Sequence, residues 1–160
     1  MRRVGELGYQ ASATDPAVHR HPSGAEVVVP AAPQERPHVF ISYSRSDRKY
    51  VKKLHRHLAE HRITAWDDRQ IPTGVEFPAE IQRRIETCRA FLLVLSPAAV
   101  ESSWVARELF YATNLKKRVL PIMLEACNAP FLVAGVQYED VTDGTLPGMP
   151  FVSTLRSLLR

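Results

Sequence analysis

Phe91-Leu92-Leu93-Val94-Leu95 is an unbroken apolar run, closed by Ser96-Pro97. No polar residue alternates within it, so it reads as a strand covered on both faces, as in the middle of a parallel sheet. The proline ends it. On its N-terminal side, Phe77, Ile81 and Ile85 recur at helical spacing,. Before them, Ile63-Thr64-Ala65-Trp66 reads as a second strand running into Asp67–Gly74, a loop by its Pro72 and Gly74,. Earlier still, Tyr50, Val51, Leu54 and Leu58 form a helical stripe behind an N-cap at Ser46-Asp47,. His38-Val39-Phe40-Ile41-Ser42 is the opening strand.

On the C-terminal side, Ser102 or Ser103 can cap a helix carrying Trp104, Val105, Leu109 and Ala112,. Val119–Met123 is a fourth strand, and Val136–Val141 a short amphipathic edge strand. Phe151, Leu155, Leu158 and Leu159 fit a closing helix. Residues 126–135 carry no clear pattern beyond a short helix around Pro130–Val133. Strands and helices thus alternate, which predicts an α/β protein: a doubly wound parallel sheet with helices on both faces. Five strands in about 120 residues favour the flavodoxin-like order 2-1-3-4-5.

Residues 1–36 differ from all this. They are rich in Ala and Pro and lack apolar periodicity, so they read as a flexible tail ahead of one domain at 37–160,. The tail's charges cancel, leaving 17 basic against 13 acidic residues on 37–160. That mild, dispersed excess suits a solvated surface or an anionic ligand, and forms no nucleic-acid stripe. Cys88 and Cys127 are far apart and belong to no zinc spacing, so two reduced thiols and no metal are expected,. Met1–Gln10 lacks the apolar segment of a secretory signal, and no run approaches a membrane span,. A cytoplasmic protein is the expectation.

In such a sheet, ligands bind beyond the carboxyl ends of the strands, where the strand order reverses. Here that lies between the first and third strands, at the loops Ser42–Asp47 and Ser96–Ser103. Trp104 and Glu108 stand one turn apart on the helix that follows, about 6 Å along its axis. An aromatic platform and a carboxylate suit a base with its ribose: stacking holds the base, and the carboxylate accepts from the sugar hydroxyls. A tryptophan at that spacing is as readily core, and a glutamate early in a helix as readily serves the dipole. Spacing alone leaves both readings open.

Several site types are excluded. The first strand is followed by Ser42-Tyr43-Ser44-Arg45-Ser46-Asp47, without the glycines of a Rossmann turn,. A phosphoacceptor receiver of the same fold needs an aspartate where Ser96 stands and an acidic pair near Ser42. There is no Walker A sequence and no nucleophile elbow. His38, His55, His57 and His61 fall on the first strand or helix and read as exposed or satisfied.

Phe40-Ile41-Ser42-Tyr43-Ser44 with Asp47, Trp66-Asp67-Asp68 through Ile71-Pro72-Thr73-Gly74, Phe91 to Pro97, and Ser103-Trp104 with Arg107-Glu108-Leu109 occur in that order. Together they resemble the boxes of Toll/interleukin-1 receptor (TIR) domains, in the form with a W-x-x-x-E motif found in many bacterial members. The resemblance implies an NAD glycohydrolase, in some members a cyclase, with NAD as substrate and no cofactor. It implies Glu108 as the catalytic residue and Trp104 beside the substrate. Ser42, Tyr43 and Arg45 would line the nucleotide pocket, Phe77 would meet the ligand, and Asp68 would contact it or tether the next loop. That loop, Arg69, Gln70, Ile71, Pro72, Thr73 and Gly74, would contact other TIR domains. The implied partners are further copies, as a homo-oligomer or filament formed on activation, in defence or signalling. The alternative is a non-catalytic adaptor that docks TIR domains through the same loop.

Overall fold

The computed structural model describes residues 36–68 and 77–160. The Ala/Pro-rich tail and the Arg69–Gly74 loop lie outside these, as does the side chain of Phe77. Five strands, β1 (Val39–Ser42), β2 (Ala65–Trp66), β3 (Ala90–Leu95), β4 (Val119–Met123) and β5 (Glu139–Asp140), form one sheet in the order 2-1-3-4-5. Every pairing is parallel. The helices are α1 (Arg48–Glu60), α2 (Phe77–Thr87), α3 (Pro97–Glu101), α4 (Ser103–Asn114) and α5 (Met149–Leu158).

The two-residue period of the strands sorts their side chains between two cores. Val39, Ile41, Leu92, Val94 and Ile122 face one side, where they meet Tyr50, Val51, Leu54 and Leu58 of α1 and Val152 and Leu155 of α5. Phe40, Phe91, Leu93 and Leu95 face the other, against Ile81 and Ile85 of α2 and Val105, Leu109 and Ala112 of α4. β3 is buried along its whole length, as its uninterrupted apolar run requires. On the second side, the Phe40 ring stacks between Trp66 and Phe91, at centroid distances of 5.4 and 5.5 Å, with the Arg84 guanidinium over Trp66.

The edge strands are shorter than the sequence predicts. Ile63 and Thr64 precede β2, and Val136 to Tyr138 precede β5. Each edge strand pairs on one side only, by two residues: Val39↔Ala65 and Phe40↔Trp66 for β2, Ile122↔Glu139 and Met123↔Asp140 for β5. Beyond those pairs Val136 and Tyr138 are exposed. The short helix expected near Pro130 is a single 3-10 turn, Phe131–Val133. After β3 the chain makes two helices where one was expected. Ser96 caps α3, accepting from the Ala99 N–H, and Ser102 caps α4, accepting from Val105,. The second cap sets the register of α4 and therefore the position of Glu108.

Among the described residues, no helix is long and apolar enough to cross a membrane.

Candidate active site

Ser42 ends β1 two residues after Phe40, so it faces the same side of the sheet, toward α4. Its hydroxyl donates to Glu108 Oε2 at 2.5 Å. This bond joins the carboxyl end of the opening strand to the second turn of α4, at the point where the sheet order reverses. Glu108 is 6% exposed, rare for a glutamate,. Burial pushes its pKa up to about 8, and the negative charges of Asp68 and Asp67 push the same way. The Ser42 hydrogen bond and the nearby Trp104 indole N–H oppose that rise without cancelling it. Two further carboxylates therefore bear on Glu108, where the sequence offers one obvious acid.

Glu108 also lines a cavity of about 290 Å³ between α2 and α4. Pro78, Ile81, Gln82 and Ile85 recur along α2 at helical spacing and form one wall; Trp104, Arg107, Glu108 and Tyr111 do the same on α4,. The lining is thus mainly apolar and aromatic, with a carboxyl, an amide and a guanidinium. That mixture suits a small polar ligand with a flat ring. At the end near Ile85, Gln82 Nε2 donates to the Tyr111 hydroxyl at 2.9 Å, and that hydroxyl donates to Glu86.

The remaining expected residues divide into two groups. Tyr43 points to the opposite side of the sheet from Ser42, into the core with α1, and its hydroxyl donates to Asp68 Oδ1 at 3.3 Å. This brings two of the expected residues together just before the Arg69–Gly74 loop, which lies outside the described residues. Arg45 is exposed on the Arg45–Asp47 turn and does not line the cavity. The backbone of Phe77 opens α2.

Sequence reasoning missed several neighbours. Asp67 is fully buried, with His55 Nε2 2.8 Å from its Oδ2. Ser96 Oγ donates to Asp47 Oδ2 at 2.6 Å, tying the end of β3 to the turn after β1. Arg107 and Tyr111 had a readable signal, since they lie three and seven residues after Trp104 on one helical stripe. His38 Nε2 donates to the Arg84 carbonyl oxygen at 3.1 Å, which makes it a satisfied core histidine. No cluster of metal-ligating side chains occurs among the described residues.

Comparisons with known proteins accord with this architecture. The family described as TIR domain matches residues 39–155. The TIR domain of the Toll-related receptor TRR-2 of Hydra magnipapillata superposes with a TM-score of 0.64 at 22% identity, over 76% of this chain and 98% of that one. The TIR domains of the activated Roq1 resistosome, which recognises the pathogen effector XopQ, give 0.50 at 25% identity, over 54% of this chain and 56% of that one. The CMP N-glycosidase BcmB of Clostridium botulinum gives 0.50 at 16% identity, over 74% and 98%.

Proposed function

The chain belongs to the TIR domain family, and from that premise we propose that it cleaves the nicotinamide–ribose bond of NAD, with Glu108 as the catalytic residue. The observation that carries the reading is the buried Glu108 carboxyl, tied to Ser42 and lining a cavity beside Trp104. A carboxyl group held away from water on a cavity wall does little for stability, because burying its charge is unfavourable. It suits a site where positive charge develops. The fold accommodates related chemistry, since the structurally similar CMP N-glycosidase is named for cleaving an N-glycosidic bond.

NAD carries its positive charge on the nicotinamide ring. Cleavage of the glycosidic bond moves that charge to the ribose, through an oxocarbenium-like transition state, and nicotinamide leaves as a neutral molecule. The leaving group needs no proton, so one carboxylate suffices. Water adds to the ribosyl carbon and gives up a proton, leaving ADP-ribose; capture by a group of the same molecule gives a cyclic product instead. Ionised Glu108 stabilises the developing cation and accepts from the ribose hydroxyls, and Trp104 supplies a stacking face. Electrostatic terms of this kind contribute roughly 3–4 kcal/mol, or 10²–10³ in rate. Arrival of a cationic ring also favours the ionised carboxyl, because an opposite charge nearby lowers a raised pKa.

The active species in this reading is an assembly of TIR domains, as the term resistosome indicates for the Roq1 relative. The second reading is a non-catalytic scaffold. Phe131, 92% exposed, with Leu132 and Val136 offers it an apolar surface. Purified chain at high concentration with a crowding agent and NAD separates the two. The enzyme releases nicotinamide, identified with its partner product by mass spectrometry, and Glu108→Gln does not. Equal release by folded, monodisperse Glu108→Gln would refute the assignment.

A further inference from the structure

We infer that Arg107 is the specificity residue that makes a 5′-phosphorylated ribonucleoside, rather than the bare nucleoside, the ligand of the Glu108 cavity; the inference rests on the NAD-cleavage reading of that site.

Arg107 and Glu108 occupy almost the same level of α4, roughly 1.5 Å apart along the axis and about 100° apart around it. Both line the cavity, but Glu108 is buried against Ser42 while Arg107 is exposed on the outer side. A ribose gripped through its 2′- and 3′-hydroxyls at Glu108 has its C5′ on the far side of the ring, away from the carboxyl. At this level of the helix that direction is outward, toward Arg107.

The size of the cavity leads to the same place. At about 290 Å³ it sits at the lower limit for ligand sites, enough for a base and one sugar,. The end near Ile85 is occupied by the Gln82–Tyr111–Glu86 hydrogen-bond chain. Pro78, Ile81 and Ile85 make most of the facing wall apolar, and its one amide, Gln82, already donates to Tyr111 and Glu86. Among the described residues, Arg107 is the only cation lining the cavity, and its guanidinium joins none of their hydrogen bonds or ion pairs. A planar donor fork without a partner among the described residues, on the outer wall of a ribose-sized hollow, fits two phosphate oxygens at once. The adenylate half of NAD then lies outside the cavity, beyond the phosphate.

Nicotinamide mononucleotide and nicotinamide riboside differ only by that phosphate. Both are titrated calorimetrically into the full chain and its Arg107→Ala and Arg107→Lys variants, and nicotinamide release from each is followed in parallel. Wild type should bind the mononucleotide more tightly. Arg107→Ala should weaken mononucleotide binding roughly 10- to 100-fold and leave riboside binding within about twofold. Arg107→Lys should recover part of the loss, since it keeps the charge without the fork. Equal weakening for both ligands, no weakening for the mononucleotide, or no preference in wild type would overturn the inference. If the affinity contrast holds but wild type, at high concentration with a crowding agent, releases no nicotinamide from NAD, the phosphate contact stands and the cleavage reading falls.

Discussion

The two faces of the sheet are built from the same strands but to different ends. On the α1/α5 face, Ile41, Leu92, Val94, Leu54, Leu58 and Leu155 fill the space with fully buried hydrocarbon. On the α2/α4 face the core is equally apolar near Phe40 and Phe91, yet toward the carboxyl end of β1 it admits Ser42, Glu108 and a cavity. Burying an aliphatic side chain contributes about 1.5–3 kcal/mol, whereas a buried carboxyl opposes folding once it ionises. Both faces are held by apolar packing, but the α2/α4 face gives some stability up to hold an acid on a cavity wall,.

Substitutions on the two faces should therefore differ in kind. Leu54→Ala, on the α1 face, should destabilise by about 2–5 kcal/mol in chemical denaturation, with activity per folded molecule unchanged. A selective loss of activity there would break the division.

On the other face, Glu108→Gln should do the opposite at alkaline pH. The folded pKa of about 8 lies above the ordinary 4.5, so between these values the folded form holds a proton that the unfolded chain has released. Stability falls with rising pH across that window, by about 1.4 kcal/mol per unit at most, and levels off above it. The variant lacks this decline and should exceed wild type by about 2–4 kcal/mol at pH 9, with the gap closing toward pH 4.5. Parallel stability curves for the two proteins would remove the buried-acid account.

Ser42→Ala should have a smaller effect. It removes the bond that favours the ionised carboxyl, so the rising limb of kcat/KM should move to higher pH and the rate at neutral pH should fall roughly tenfold. Ser42→Thr, which keeps a hydroxyl, should restore part of it. A uniform loss at every pH would instead mark Ser42 as a substrate contact. Smallest of all, Phe131→Ser should change stability by less than about 0.5 kcal/mol, because its ring is exposed,; a dilution series by light scattering shows whether it changes self-association.

How well the sequence foretold each region follows from the range of the interactions that made it. β1, β3, β4 and the stripes of α1, α2 and α4 rest on period and on unbroken apolar runs, which a chain displays locally. The extents of β2 and β5 rest on how many residues their single neighbours can pair, which it does not. That Trp104 and Glu108 share one face of a helix was legible because one turn separates them, while their roles came only from the family resemblance. The Ser42–Glu108 bond spans 66 positions, and the influence of Asp67 and Asp68 on Glu108 depends on how β2 lies against β1. Tyr43 lies one residue from Ser42, and strand alternation sends it to the opposite core, where it reaches Asp68,.

The most direct test of the central claim is the pH dependence of kcat/KM for nicotinamide release from NAD, measured between about pH 5 and 10 on the assembled protein. That parameter reports the ionisation of the free enzyme. Activity should climb with pH as Glu108 loses its proton, reach half its plateau near pH 8, and be absent throughout in Glu108→Gln. A profile already flat above pH 5, or one that Glu108→Gln reproduces, would contradict it.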